Sequence, residues 1–226
     1  MAIGFIGDLT DQSPLDGGAP TDSAAVIRLL LELDREGLAT LVPGNHCFKL
    51  LRYLVALTEG KGAHERISLG HGLAETIAEI MAAEDRDDLV TGYIRIVGSA
   101  PLWRRIGTYL FVHAAAHPAM FTQQAPSAAE AIHLKDSGIV HRALFGQTDG
   151  TRDANGYPVR LYDWLEIIPQ GHTVVIGHDA CADIMVRHNT HGGRLIRIDT
   201  GAGKGGKLSW IDLSASELTQ EAMHSA

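Results

Sequence analysis

The feature that most constrains this chain is a repeated ending. Short apolar, strand-like runs stop, one after another, at a residue able to bind a metal. Residues 2–7 run into Gly7-Asp8, and residues 39–42 lead through Pro43 to Gly44-Asn45-His46. Residues 108–113 end at His113, and residues 173–177 end at Gly177-His178. In mixed α/β folds functional groups gather at strand ends, where the sheet fixes the backbone and loops converge. A single ending of this kind reads as a cap or a turn. The ordered set of Asp8, Asn45, His46, His113 and His178 reads as one site assembled from distant parts of the chain.

The segments between these runs carry helical spacing. The periodicity predicts a helix over 23–36, N-capped by Asp22 and closed by Gly37, with Val26, Leu29, Leu30 and Leu33 as its apolar positions at helical spacing. Further helices are predicted over 46–58 on Leu50, Leu54 and Leu57, and over 72–84 on Leu73, Ile77 and Ile80. Helix is also predicted over 86–98 and, in two pieces, over 126–145. Residues 146–160, with Gly146, Gly150, Asn155-Gly156 and Pro158, read as a turn-rich loop. Strand-like runs return at 194–199 and 207–213. The expected organisation is one α/β domain over 1–213 and a polar tail over 214–226.

Composition narrows the function. The length of 226 residues suits one domain. A net charge of −8 disfavours a protein that coats nucleic acid, whose affinity comes largely from phosphate neutralisation, but leaves room for an enzyme whose small basic site meets a phosphate. The two cysteines, Cys47 and Cys181, form no CxxC pair, which excludes a zinc ribbon and a thioredoxin-type motif. The N-terminus has no basic stretch, and Asp8 breaks its apolar run, so no signal peptide is expected. With no apolar stretch of about 18 residues, no membrane contact is expected, and the cytoplasm is the expected compartment. Twelve histidines are the compositional oddity.

Taken together the motifs resemble the calcineurin-like metallophosphoesterases, and more narrowly the PPP-type phosphatases. They are Gly7-Asp8-Leu9-Thr10-Asp11, Gly44-Asn45-His46, Val112-His113 and Gly177-His178. Within that family the resemblance is closest to the phosphatase module of bacterial polynucleotide kinase-phosphatase. It is carried by Val42-Pro-Gly-Asn-His-Cys-Phe-Lys-Leu-Leu-Arg52, His71-Gly-Leu-Ala-Glu75, Ala143-Leu-Phe-Gly146, Gly156-Tyr-Pro-Val-Arg160 and Ile198-Asp-Thr-Gly201 through Gly205-Gly-Lys-Leu208. The resemblance implies a sandwich of two β-sheets flanked by helices. It also implies hydrolysis of a phosphate monoester by metal-activated water.

By the same resemblance Asp8 would bridge two metal ions, and Asn45, His113 and His178 would complete the shell of one. His46 would be the general acid, Asp11 would hydrogen-bond it, and Asp199 would orient a site imidazole. Apart from the resemblance, Arg52, Arg142 and Arg160 could each approach a phosphate, although a surface salt bridge is the commoner role for each, and Arg160 is the candidate substrate contact. Carboxylate, amide and imidazole donors suit a divalent transition metal, Mn first and then Fe, Zn or Ni, as one or two ions. The implied substrates are a phosphorylated small molecule, a nucleotide or a phosphoprotein.

The sequence departs from the family in several places. The Asp-x-His-Gly motif that supplies the second metal's ligands would precede Gly7-Asp8 and is not in this sequence. Gln12 and Ser13 stand where an arginine and a glycine are usual, Cys47 where an acidic residue is, and Ala114-Ala115 where glycines are. Three expectations follow: a longer natural chain, an enzyme working with one metal, or a non-catalytic metal- or phosphate-binding relative. His71, His117 and His141 are the histidines that could replace a lost ligand. A sheet without its usual first strand and helix has an open edge, from which a homodimer is expected.

Two motifs are weaker than they look. Gly201-Ala-Gly-Lys-Gly-Gly-Lys207 matches the P-loop spacing, but Leu208 follows it and the next residues read as strand rather than helix. Cys47 beside His46 suggests a nucleophile pair, yet neighbouring side chains on a helix do not face each other.

Overall fold

A computed structural model describes residues 2–11, 22–60, 62–70, 72–134, 137–154, 156 and 158–214. Its centre is a five-stranded mixed sheet in the order β3 (Trp103–Ile106), β4 (Tyr109–Val112), β7 (Thr173–Ile176), β9 (Arg194–Arg197), β8 (Met185–His188). β4, β7 and β9 run parallel, and β3 and β8 pair antiparallel on the two flanks. The three parallel strands read as near-continuous apolar runs because both their faces are covered. Leu110, Val112, Val174, Ile176 and Leu195 face one core, whereas Tyr109, Val175 and Ile196 face another.

The first core is closed by helices: α1 (Ser23–Arg35), α2 (Asn45–Thr58), α3 (Leu73–Ala82), α4 (Arg86–Ser99), α5 (Ala128–Ala131) and α6 (Gly138–Phe145). The second core receives Ile6 from β1 (Ile3–Ile6), together with Ile198, Ile211 and Leu213. β1 pairs in parallel with β2 (Ala39–Val42), forming a small second sheet. The fold is therefore α/β, with a five-stranded sheet, two small two-stranded sheets and flanking helices.

Local chemistry explains the helix starts. Asp22 accepts from the Ala25 N–H at 2.9 Å, and Gly37 follows the α1 C-cap with φ of +69°. Ser127 and Glu130 form a capping box on α5.

Four sequence readings are corrected. First, α1 buries Ala24, Ile27 and Leu30, while Val26 and Leu29 are exposed. The helix carries two overlapping apolar stripes, and its neighbours decide which one packs. Second, the expected loop 146–160 contains a hairpin of β5 (Thr148–Arg152) and β6 (Pro158–Arg160). Third, Trp103–Ile106 and Met185–His188, which carry no apolar run, form strands β3 and β8 by pairing with β4 and β9. Fourth, residues 207–213 form no strand. Leu208 is 78% exposed and Trp210 70% exposed, while Ile211 and Leu213 turn inward. The segment alternates as a strand does, but no described strand lies beside it to take its backbone hydrogen bonds. Lys207 instead closes a bridge back to Gly201.

Candidate metal centre

Register brings the strand ends together. β1 and β2 pair with Ile6 opposite Val42, so Gly7-Asp8 and Gly44-Asn45 emerge side by side. β4 and β7 pair with Phe111 opposite Val175, and the Gly177 N–H donates to the His113 carbonyl at 3.0 Å. His113 and His178 therefore leave the large sheet at the same end. The two sheets meet across glycines. A Cβ at Gly44 would overlap Asp8 Oδ1 and stand 2.6 Å from His113 Cε1, so only glycine permits this approach. Asp8, Asp11 and His178 all hold positive φ, at 47°, 72° and 65°. Left-handed backbone at non-glycine residues costs energy and clusters at functional sites.

Four donor atoms converge. His113 Nε2 lies 3.1 Å from Asn45 Oδ1, 3.0 Å from His178 Nδ1 and 3.2 Å from Asp8 Oδ2. His178 Nδ1 lies 3.1 Å from Asn45 Oδ1. Two ligands at right angles, each about 2.1 Å from a transition metal, stand about 3 Å apart. The donor set fits a divalent ion in both spacing and chemistry. The tautomer of His113 agrees: the Ile6 carbonyl can only accept, so Nδ1–H donates to it at 3.0 Å and leaves the Nε2 lone pair toward the cluster.

The charges at the site act strongly on one another. Desolvation opposes ionisation of Asp8, but His113, with His46 and His178, outweighs it and holds the carboxyl well below the usual range. Burial lowers the His113 pKa, and the Asp8 carboxylate more than offsets this, so the net shift is upward. Burial, then His113 and Arg160, push His178 down to about 2, which keeps its imidazole neutral and able to ligate.

His46 begins the second residue of α2. Its N–H donates to Asp8 Oδ1 at 3.2 Å, and its Nδ1 stands 3.2 Å from Asp11 Oδ2. Asp11 is buried and held by its neighbours: Thr10 Oγ1 donates to its carboxylate, and its own N–H donates to Thr76 Oγ1. The N-terminus of α2 thus opens on the cluster, and the positive end of its dipole favours an anion there.

No protein-family model matches the chain. Curated relatives do. The bis(5'-nucleosyl)-tetraphosphatase PrpE (asymmetrical) of Oceanobacillus iheyensis is 30% identical over 222 residues, covering 97% of this chain and 77% of its own length. That of Bacillus velezensis is 31% identical over 209 residues, covering 91% of this chain and 71% of its own. The chain belongs to the PrpE family of calcineurin-like metallophosphoesterases. Its relatives carry the tetraphosphatase name rather than that of the kinase-phosphatase module its motifs resemble. Among solved structures, a mutant cold-active protein tyrosine phosphatase shares the fold at 14% identity and a TM-score of 0.50, over 91% of this chain and 62% of that one.

In this metallophosphoesterase the remaining sequence-selected residues fall as follows. Arg160 reaches the cluster from β6, its Nη2 standing 2.7 Å from His178 Nε2. Asp199 does not meet an imidazole. Its Oδ1 accepts from the Gly201 N–H at 2.8 Å, and the acceptor that orients His113 is the Ile6 carbonyl. His117 caps a short 3-10 turn by accepting from the Ala119 N–H, and His141 tilts onto Phe145, so neither joins the cluster. Gln12, Ser13 and His71 lie outside the described residues. Cys47 is fully buried, and burial, reinforced by Asp8, pushes its thiol up to about 11. It is no nucleophile. The glycine run opens no helix: Gly201 and Gly205 bracket a single 3-10 turn over Ala202–Lys204.

Sequence reasoning missed Tyr162 and Asp179, which surround Arg160. Their only signal was proximity, since Asp179 follows His178 and Tyr162 stands two places after Arg160.

Proposed function

We infer that this protein hydrolyses a phosphate ester with a divalent transition metal held by Asp8, Asn45, His113 and His178. The observation that carries this reading is the convergence of those four donor atoms: His113 Nε2 lies 3.0–3.2 Å from each of the other three, and the Asp8, His113 and His178 donors all lie within 4.8 Å of one another. A bound ion would polarise the phosphoryl group and lower the pKa of a coordinated water. The chain's own groups supply the rest. The α2 N-terminus and Arg160 face the phosphate charge. Asp11 fixes the His46 ring through Nδ1, leaving Nε2 to give its proton to the departing oxygen.

The names of the relatives make a dinucleoside tetraphosphate the first substrate to test, beside a simple monoester. Among the described residues one cluster of carboxylate and imidazole donors is present, which supports a single tight ion per chain. Mn is the first metal to try, then Fe, Zn and Ni. β1 pairs with β2 on one side only among the described residues, and its open edge supports a homodimer.

The test is turnover of diadenosine tetraphosphate and p-nitrophenyl phosphate with each metal, alongside metal content by mass spectrometry. Metal-dependent release of phosphate or nucleotide supports the reading. One bound metal per chain with no turnover of either substrate supports the non-catalytic alternative.

A further inference from the structure

Arg160 sits in a frame that the reaction as described does not use. Its Nε donates to Asp179 Oδ1 at 3.0 Å, and its Nη1 donates to the Phe145 carbonyl. Tyr162 Oη donates to the other carboxylate oxygen, Asp179 Oδ2, at 2.6 Å. The Asp179 carboxylate is therefore divided between two donors. Behind it Arg197, only 9% exposed, donates from Nη2 to the Asp179 carbonyl at 3.0 Å and stacks on the Tyr162 ring at 4.8 Å. Arg187 lies 5.6 Å from the same ring. A strand of the sheet, the residue after His178 and a residue of the β6 loop are tied into one unit around a single guanidinium.

We propose that Asp179 and Tyr162 are positioning residues that hold the Arg160 guanidinium beside the metal centre to receive a phosphoryl oxygen. The proposal rests on the phosphoesterase reading above. Arg160 can only donate, so the 2.7 Å contact of its Nη2 requires His178 Nε2 to accept. Were His178 to hold a metal through Nδ1, its ring proton would sit on Nε2 and leave Nη2 without that acceptor, while Asp179 and Phe145 still anchor Nε and Nη1. A guanidinium with one side anchored and one side free meets a phosphate at little entropic cost. The Tyr162 hydroxyl keeps the carboxylate from rotating away. Its pKa is raised, by burial first and then by Asp179, so the phenol stays a donor across the working range.

The experiment compares wild type, Asp179→Asn, Tyr162→Phe, Arg160→Ala and the double variant Arg160→Ala/Asp179→Asn. Two readouts are taken: steady-state kinetics with the better of the two substrates, and calorimetric affinity for inorganic phosphate in the Mn-loaded protein. Asp179→Asn should raise KM and weaken phosphate binding by about tenfold, the usual scale of one charge-assisted contact. The effect on kcat should be smaller, and Mn affinity and Tm should hold. Tyr162→Phe should act in the same direction by a few-fold. In the double variant the Asp179 effect should vanish, because it acts through Arg160. Additive losses in the double variant, or Asp179→Asn at wild-type KM and phosphate affinity, overturn the proposal. If wild type turns over neither substrate, the phosphoesterase reading fails by itself, and the same cycle on phosphate affinity still decides the positioning role. Absence of phosphate binding in wild type overturns both.

Discussion

His113 Nε2 stands 3.0 Å from His178 Nδ1 although 65 residues separate them. Two imidazole nitrogens at that distance, beside a carboxylate and an amide oxygen, cannot all be satisfied by hydrogen bonds among themselves. Asn45 Oδ1 and Asp8 Oδ2 only accept, His113 has already given its proton to Ile6, and the one proton His178 carries on Nδ1 while Nε2 accepts from Arg160 cannot serve all three acceptors. The surplus of lone pairs is the physical reason for assigning a cation here.

The first prediction concerns His113. His113→Ala should lose tight metal uptake and activity together. It should also cost about 1–3 kcal/mol of stability, because the fully buried His113 ring is removed and the Ile6 carbonyl loses its donor. Metal content by mass spectrometry after dialysis, with a thermal melt of the metal-free protein, reads both effects. Retention of one tight metal ion per chain would contradict the ligand assignment.

His46 should behave differently. His46→Ala should lower kcat by about 10²–10⁴-fold, the usual worth of a positioned acid, while metal content stays at the wild-type level. The loss should shrink for p-nitrophenyl phosphate, whose leaving group needs little protonation, and grow for an alkyl phosphate. Asp11→Asn should reduce the rate in the same direction by less. Wild-type activity in His46→Ala would remove His46 from catalysis and favour the binding-protein alternative.

Two glycines with different surroundings separate backbone strain from site disruption. Gly37 has φ of +69° and open space around it, so Gly37→Ala should cost about 1–2 kcal/mol and leave metal binding untouched. At Gly44 the new methyl would occupy the place of Asp8 Oδ1 and crowd the His113 ring. Gly44→Ala should therefore abolish metal binding even where the protein still folds. Calorimetric Mn titration of both variants, beside their melting curves, makes the comparison.

The cysteines give a chemical test of the packing. Cys47 is completely buried, with its thiol pushed up to about 11, whereas Cys181 is half-buried, donates its S–H to the Asp199 carbonyl, and is raised less. Iodoacetamide should modify Cys181 first. Cys47 should react at least about a thousandfold more slowly, at the rate set by global opening of the protein. Labelling at comparable rates would show that the start of α2 is not packed as described.

Much of the fold was legible because its signals are local. The apolar runs at β1, β2, β4, β7 and β9 and the caps of α1 follow from adjacent residues alone. The readings that failed depended on neighbours. Val26 and Leu29 look as apolar as Leu30, but the helices and strand beside α1 bury only the stripe through Ala24, Ile27 and Leu30. Leu208 and Trp210 alternate correctly for a strand, yet a strand exists only where another supplies its hydrogen bonds.

For the site, the sequence by itself determined which residues were worth bringing together. Asp8, Asn45, His46, His113 and His178 each close an apolar run, and Asp11 falls three residues after Asp8. Only the tertiary structure decided their partners. It gave His113 the Ile6 carbonyl rather than Asp199, turned Asp199 to the Gly201 N–H, and set Asp179 and Tyr162 around Arg160. The physical reason is that residue type and spacing determine which chemistry a side chain can offer, whereas the direction of a hydrogen bond depends on strand register and on atoms contributed from elsewhere in the chain.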